Sequence, residues 1–181
     1  QTDWRSIAEN TRLVVAFGGM PPRNSQIAAG GQGSHSTEGS LKRCRENGVE
    51  FVYVGPVTSD MADFLGAEWI RPLPNTDTAL MLGLAHTLLA EGLEDRKFLE
   101  RYTTGFPRFR GYLTGESDGE PKSADWAAAI SGVEAATIRR LARRLAGTRS
   151  LLTISWSLQR GDHGEQSYWA AITLAAMLGQ I

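Results

Sequence analysis

Short, almost wholly apolar runs alternate along the chain with longer stretches whose apolar residues recur every three or four positions, and glycine, proline and polar residues sit at the joins. The runs are Leu13-Val14-Val15-Ala16-Phe17, Phe51-Val52-Tyr53-Val54, the shorter Glu68-Trp69-Ile70, and Leu151-Leu152-Thr153-Ile154-Ser155. Runs of this length that are apolar at successive positions, not only alternate ones, predict strands buried on both faces of a parallel sheet. Between them the helical spacing predicts helices over 37–47, with Gly48 as its left-handed stop, and over 60–65, 94–102, 106–114, 123–130 and 134–146. Another, capped by Asn75, Thr76 or Asp77, carries Leu80, Leu82, Leu84, Leu88 and Leu89 and is strongly buried. The 134–146 helix is amphipathic, with Ile138, Leu141, Ala142 and Leu145 on one face and Arg139, Arg140, Arg143 and Arg144 largely opposite.

Strands alternating with helices predict the α/β class. The expected architecture is a three-layer α/β/α fold, a mainly parallel sheet between two helical layers, dinucleotide-binding-like, in a single domain over 1–181. In such sheets ligands bind outside the carboxyl ends of the strands. The segments there are Gly18-Gly19-Met20-Pro21-Pro22-Arg23-Asn24 after the first strand and Trp156-Ser157-Leu158-Gln159-Arg160-Gly161-Asp162-His163-Gly164-Glu165-Gln166 after the fourth. Both concentrate hydrogen-bonding groups where a chain crosses from a buried strand to the amino end of a helix.

The composition narrows the function. A chain of 181 residues with a net charge of −1 has neither the basic footprint of a nucleic-acid binder nor that of a protein drawn to anionic membranes. Cys44 is the only cysteine, so no disulfide framework and no cysteine metal site can form within the chain, and it reads as an ordinary helix residue. The first residues show no targeting pattern, which leaves bacterial periplasm and cytoplasm both open. Residues 168–181 are uncharged but fall short of the roughly 20 apolar residues that span a bilayer. They predict a buried helix whose far face the chain does not cover, so the chain is expected to be one domain of a larger protein.

Three motifs fail on context. Gly115-Glu116-Ser117-Asp118-Gly119 has the letters of a nucleophile elbow without the entering strand and leaving helix that the elbow needs, so a surface turn is expected. Gly30-Gly31-Gln32-Gly33 lacks both the register of a dinucleotide loop and a phosphate-binding lysine, and reads as a flexible connection. His35, His86 and His163 are too scattered for a metal site; His86 reads as a packed or edge histidine, and His163 as either a surface or a ligand-facing one.

Taken in order, Phe17-Gly18-Gly19-Met20-Pro21-Pro22-Arg23-Asn24, Gly66-Ala67-Glu68-Trp69-Ile70, Pro72-Leu73-Pro74-Asn75-Thr76-Asp77-Thr78-Ala79-Leu80-Met81-Leu82-Gly83, Tyr112-Leu113-Thr114-Gly115-Glu116-Ser117-Asp118-Gly119 and Trp156-Ser157-Leu158-Gln159-Arg160 resemble the molybdopterin oxidoreductases. The likeness is to the dimethyl sulfoxide, trimethylamine N-oxide and biotin sulfoxide reductases. It implies a cofactor-binding fragment of a multidomain enzyme that carries bis(molybdopterin guanine dinucleotide) molybdenum and reduces an S- or N-oxide. Its partners would be the other domains of the same polypeptide and the small oxide substrate, with no nucleic acid and no membrane span.

The resemblance assigns Asp77, flanked by Asn75 and Thr76, to guanine, with helix capping as the competing reading. It gives Arg23 and Asn24 cofactor contacts, Arg23 being either a phosphate ligand or a plain surface arginine, and Gly18 and Gly19 a close backbone approach. Val54 and Gly55 fall at the ribose or guanosine edge. Many relatives have Asn or Asp where Gly55 stands, so only backbone contact is expected there. Trp156, Ser157, Gln159 and Arg160 match the loop that meets pterin and phosphates, with Arg160 also near the substrate funnel and a core role as the alternative for Trp156. The metal-binding serine of these reductases belongs to an earlier segment with no match here, so Ser157 is given no such role. The alternatives are a general nucleotide-binding domain, disfavoured by the missing glycine fingerprint, and a non-catalytic interaction domain.

Overall fold

The four apolar runs become β1 (Leu13–Phe17), β2 (Glu50–Val54), β3 (Glu68–Ile70) and β4 (Ser150–Ile154), all parallel, in the spatial order β3-β2-β1-β4. The structure, a computed structural model, describes residues 3–24, 33 and 35–181; Gly30, Gly31 and Gln32 lie outside the described residues. The α/β class with a parallel sheet is therefore as expected. Leu13 is level with both Glu50 and Ser150, so β1, β2 and β4 end together at Phe17, Val54 and Ile154. The chain moves outward from β1 through β2 to β3, and β4 then pairs on the other side of β1. The strand order thus reverses between β1 and β4, the switch point outside which ligands of open α/β sheets bind.

The described chain divides into two compact units, 1–70 with 149–155 and 71–148 with 156–181. The first holds the sheet with α1 (Trp4–Asn10) and α2 (Ser36–Glu46). Asp3 caps α1 by accepting the Ser6 amide at 2.8 Å. Helix α2 closes as the sequence predicts: Gly48, at φ 80°, lets its own amide reach the Arg45 carbonyl and the Val49 amide reach the Cys44 carbonyl, both at 3.0 Å. Cys44 and Val49 then join Ala8, Val14, Ala16, Leu41, Phe51 and Tyr53 in one apolar cluster. Every residue of β1 is buried, whereas β4, paired on one side only among the described residues, is half-buried throughout.

The helix expected over 60–65 is not formed. Two 3-10 turns, Thr58–Asp60 and Asp63–Leu65, stand there, separated by extended Met61 and Ala62. Met61 and Leu65 both reach the apolar cluster from this broken segment.

The second unit is helical: α3 (Asp77–Ala90), α4 (Arg96–Tyr102), α5 (Phe106–Leu113), α6 (Ala124–Ser131), α7 (Ala135–Gly147) and α8 (Gly164–Met177). Helix α3 contacts α5, α6, α7 and α8, which is why its sequence is apolar on nearly every side. Gly83 permits the α6 crossing, since a Cβ there would stand 2.5 Å from the Ala127 methyl. Helix α7 buries the predicted face while Arg139 and Arg143 pair with Asp125 and Glu91 at 3.0 and 2.8 Å. Helix α8 starts four residues before the predicted segment. It buries Leu174 and Met177 but leaves Trp169 and Ile172 63% and 60% exposed, so it is not buried on every side.

The turn after α5 is exposed and holds Ser117 with no strand leading into it, so the elbow geometry is missing. Its far end is anchored by Lys122, whose buried ammonium donates to Asp118 at 2.6 Å and lies 4.5 Å from the Tyr112 ring centre. No helix among the described residues is long and apolar enough to cross a membrane.

Candidate functional site

In the helical unit, the loop leading into α3 meets the loop leading into α8. Asn75 is held in the left-handed region at φ 63°, and its side-chain oxygen packs against Gly161, where any Cβ would overlap it. His163 is likewise left-handed at φ 52°, and a Cβ on Gly164 would overlap the Gln159 carbonyl. The two loops can close together only with glycine at 161 and 164, positions that carried no weight in the sequence reading although both glycines stand inside the motif. Thr78 and Ser167 share a hydrogen bond at 2.9 Å, which sets the amino ends of α3 and α8 side by side. Two helix amino ends so placed present unsatisfied amides and the positive ends of two helix dipoles.

Asp77 is the first residue of α3, with Thr76 in the cap position. The Thr76 hydroxyl donates to the Leu73 carbonyl at 2.6 Å and does not bond an α3 amide. Asp77 itself stands in the first turn of α3, where a carboxylate complements the helix dipole, and its own backbone amide donates to that carboxylate. The half-buried carboxylate has no side-chain hydrogen-bond or ionic partner among the described residues, and burial pushes its pKa above the usual carboxylate range against the smaller opposing effect of that amide. A carboxylate that is partly desolvated and lacks a side-chain partner suits a ligand edge offering N–H donors.

Residues Trp156–Arg160 form a 3-10 turn that half-buries Leu158 and exposes Trp156, Ser157, Gln159 and Arg160. Trp156 is 73% exposed, which removes the core reading and leaves a large flat apolar face presented to solvent. Arg160 has no ionic partner among the described residues. The assembly thus offers a half-buried carboxylate without a side-chain partner, an aromatic face, an amide side chain, a guanidinium with no ionic partner among the described residues and two helix amino ends.

The sheet unit carries the other candidates, and here local structure has claimed much of what the sequence left to a ligand. Gly18 and Gly19, at φ 80° and 85°, turn the chain out of β1; the Gly18 amide donates to the Val54 carbonyl at 2.8 Å. A Cβ on Gly19 would overlap the Asp60 carbonyl, so its close approach is to the neighbouring loop. Arg23 donates to the Ser59 carbonyl at 2.7 Å and the Asp60 carboxylate at 2.5 Å, which makes it neither a plain surface arginine nor one wholly free for phosphate; Asn24 is exposed beside it. Asp60 is the partner that sequence reasoning missed, because nothing local links positions 36 or 37 residues apart.

The structure gives a reason why position 55 is glycine. The Tyr53 ring lies where a Cβ at 55 would stand, its hydroxyl donating to the Val57 carbonyl at 2.6 Å. The Gly55 amide donates to the Ile70 carbonyl at 3.1 Å, and its own carbonyl accepts the Trp69 indole N–H at 2.8 Å. The backbone contact expected at Gly55 is therefore already engaged within the sheet unit. A small cavity of about 220 Å³ lies nearby, lined by Tyr53, Thr58, Met61, Asp63, Gly66 and Trp69.

The sequence from residue 2 to 181 matches the molybdopterin oxidoreductase family. The chain belongs to that family. Among molybdopterin oxidoreductases it is 52% identical over 176 residues to biotin sulfoxide reductase of Cereibacter sphaeroides, a match covering 97% of this chain and 24% of that protein. It is 46% identical to the dimethyl sulfoxide/trimethylamine N-oxide reductase of the same organism and 42% identical to the trimethylamine-N-oxide reductase of Haemophilus influenzae, covering 100% of this chain and 22% of each relative. Among solved structures, acetylene hydratase from Pelobacter acetylenicus superposes with a TM-score of 0.73 over 96% of this chain and 22% of that one, at 21% identity, a likeness of fold. This molybdopterin oxidoreductase chain thus spans 22–24% of the length of these relatives.

Proposed function

We propose that the chain is the part of a molybdenum-dependent S- or N-oxide reductase that binds molybdopterin guanine dinucleotide. The observation that carries this is the Asp77 carboxylate, half-buried without a side-chain partner among the described residues at the amino end of α3, in a helical unit that also exposes the Trp156 turn. Guanine presents two adjacent N–H donors on one edge, and a carboxylate accepts both in a charge-assisted pair. Asn75 and Thr76 shape the approach to it. The α8 amino end and Arg160 suit phosphate oxygens, and Trp156 supplies a face for a flat ring, with Ser157 and Gln159 as polar neighbours. In the sheet unit, exposed Asn24 offers a polar side chain, whereas the Gly18 amide, the Val54 carbonyl and both backbone groups of Gly55 are already engaged and Gly19 is packed against Asp60. Arg23, already held by Ser59 and Asp60, is less available to phosphate than Arg160.

The residues present fit a dinucleotide: acceptor for a base edge, cationic and amide donors for phosphate, aromatic face for a ring system. When bound, the molybdenum-pterin group supplies two-electron oxygen-atom transfer from an S- or N-oxide. This chain's residues hold and orient that group, and the metal's protein ligand comes from elsewhere in the polypeptide. The remaining domains and the oxide substrate are its partners.

Metal and nucleotide analysis of the full-length protein tests the assignment. Molybdenum, together with GMP released by mild acid hydrolysis, is expected. A purified, folded enzyme containing neither would sink it.

A further inference from the structure

A groove of about 1020 Å³ opens at the end of α3 opposite Asp77, between Leu89 and Ala90, helix α4 and the first turns of α5. Leu99, Phe106 and Pro107 give it apolar walls, and Glu94 lines it with a side chain only 3% exposed. One carboxylate oxygen, Oε1, accepts the Arg96 Nε–H at 2.8 Å. The other, Oε2, is buried and has no hydrogen-bond partner among the described residues. Arg96 is no full answer to it, because that side chain is 72% exposed and meets the carboxylate from the water side. Nor can Glu94 swing out to solvent cheaply. The next residue is fixed twice, its amide donating to the Met177 carbonyl at 2.7 Å and its carboxylate accepting the Phe98 amide at 2.9 Å as the cap of α4. A buried carboxylate held with half of its acceptor capacity unmet calls for a donor, and the strongest match is a cation.

We infer that the groove receives a lysine or arginine side chain from a segment of the polypeptide outside these 181 residues, donating to Glu94 Oε2 with its aliphatic stem along Leu99 and Phe106. Long basic side chains pair an apolar stem with a cationic head, which is the combination these walls and this carboxylate match. The occupant is assigned to the same polypeptide because relatives similar to 97–100% of this chain devote only 22–24% of their length to the matching region. The volume lies at the top of the range for small-molecule pockets, which suits a chain segment better than a compact ligand. The inference rests on the reading of this chain as one part of a longer reductase.

The test uses the full-length enzyme with a photoreactive benzoylphenylalanine in place of Phe106, and separately with Glu94→Gln. Irradiation is expected to join residue 106 to a peptide outside 1–181 that carries a lysine or arginine within a few residues of the adduct. Glu94→Gln is expected to lower the melting temperature, since a cation then loses its counter-charge. An adduct confined to 1–181, an adduct between two copies, or no adduct overturns the inference. So does a Glu94→Gln enzyme as stable as the parent or more so, which would mean that the carboxylate is satisfied by water alone. The same preparation is assayed for molybdenum and GMP: their presence alongside a negative cross-link fails the groove alone, and their absence fails the cofactor assignment.

Discussion

Asp77 has no side-chain partner among the described residues, and burial raises its pKa by more than its own backbone amide lowers it, so ionisation there works against folding in the absence of ligand. The sign follows from linkage. A carboxyl whose pKa is higher in the fold than in the unfolded chain contributes fully below the unfolded value of about 3.9, and that contribution is lost as pH rises through the higher folded value. Asp77→Asn cannot ionise, so its stability relative to the parent should improve as pH rises above the unfolded carboxyl value of about 3.9 and converge with it in acid. Thermal melts of cofactor-free protein on both sides of that value check this. A variant that instead loses ground as pH rises would show that the α3 dipole outweighs desolvation. The same substitution should weaken GMP binding by about tenfold or more, because hydrogen bonds to a charged group contribute roughly 1.5–3 kcal/mol. Sequence alone left Asp77 between capping and ligand contact. The structure places Asp77 in the first turn of α3 with its own amide on the carboxylate, which leaves both readings standing, and guanine contact is the one proposed. Trp156 was equally ambiguous, because an isolated tryptophan in a sequence says nothing of its exposure.

Elements were more legible than residues where periodicity and stop signals agreed. Helix α2 was marked by its apolar spacing and by Gly48, α7 by its two-sided pattern, and the strands by unbroken apolar runs. The 60–65 segment was misread because Met61 and Leu65, four apart, carry the spacing of one helix face, and local spacing cannot tell a helix from two 3-10 turns that bring the same residues to one cluster. Helix α3 illustrates the limit in another way, since its uniform apolarity predicts burial without naming its neighbours. Gly83 separates propensity from packing. Alanine there should gain about 1 kcal/mol of helix propensity, but its methyl would stand 2.5 Å from that of Ala127 and 3.4 Å from the Ile138 methyl. Overpacking of this kind costs about 1–3 kcal/mol. Gly83→Ala is therefore expected to destabilise the protein in denaturant unfolding, and a more stable variant would mean that α6 shifts freely.

For the whole molecule, the exposed Trp156 separates binding from stability. Its side chain makes so little of the core that Trp156→Ala should change the stability of the cofactor-free, full-length protein by less than about 0.5 kcal/mol, while the purified enzyme retains measurably less molybdenum and GMP. Equal cofactor content with an unchanged melting temperature would remove Trp156 from the site. By itself, the sequence determined the α/β class, the parallel strands and the membership of a molybdopterin oxidoreductase family, because apolar runs, helix stops and short loop motifs are local and survive in one dimension. Tertiary structure alone decided that Asn75 meets Gly161, that Thr78 meets Ser167, that Arg23 is held by Asp60, and that Tyr53 claims the space beside Gly55. Except for Tyr53 and Gly55, which are near neighbours in sequence, such pairings join positions with no shared local pattern, and they arise only when packing brings distant segments within hydrogen-bond or van der Waals reach.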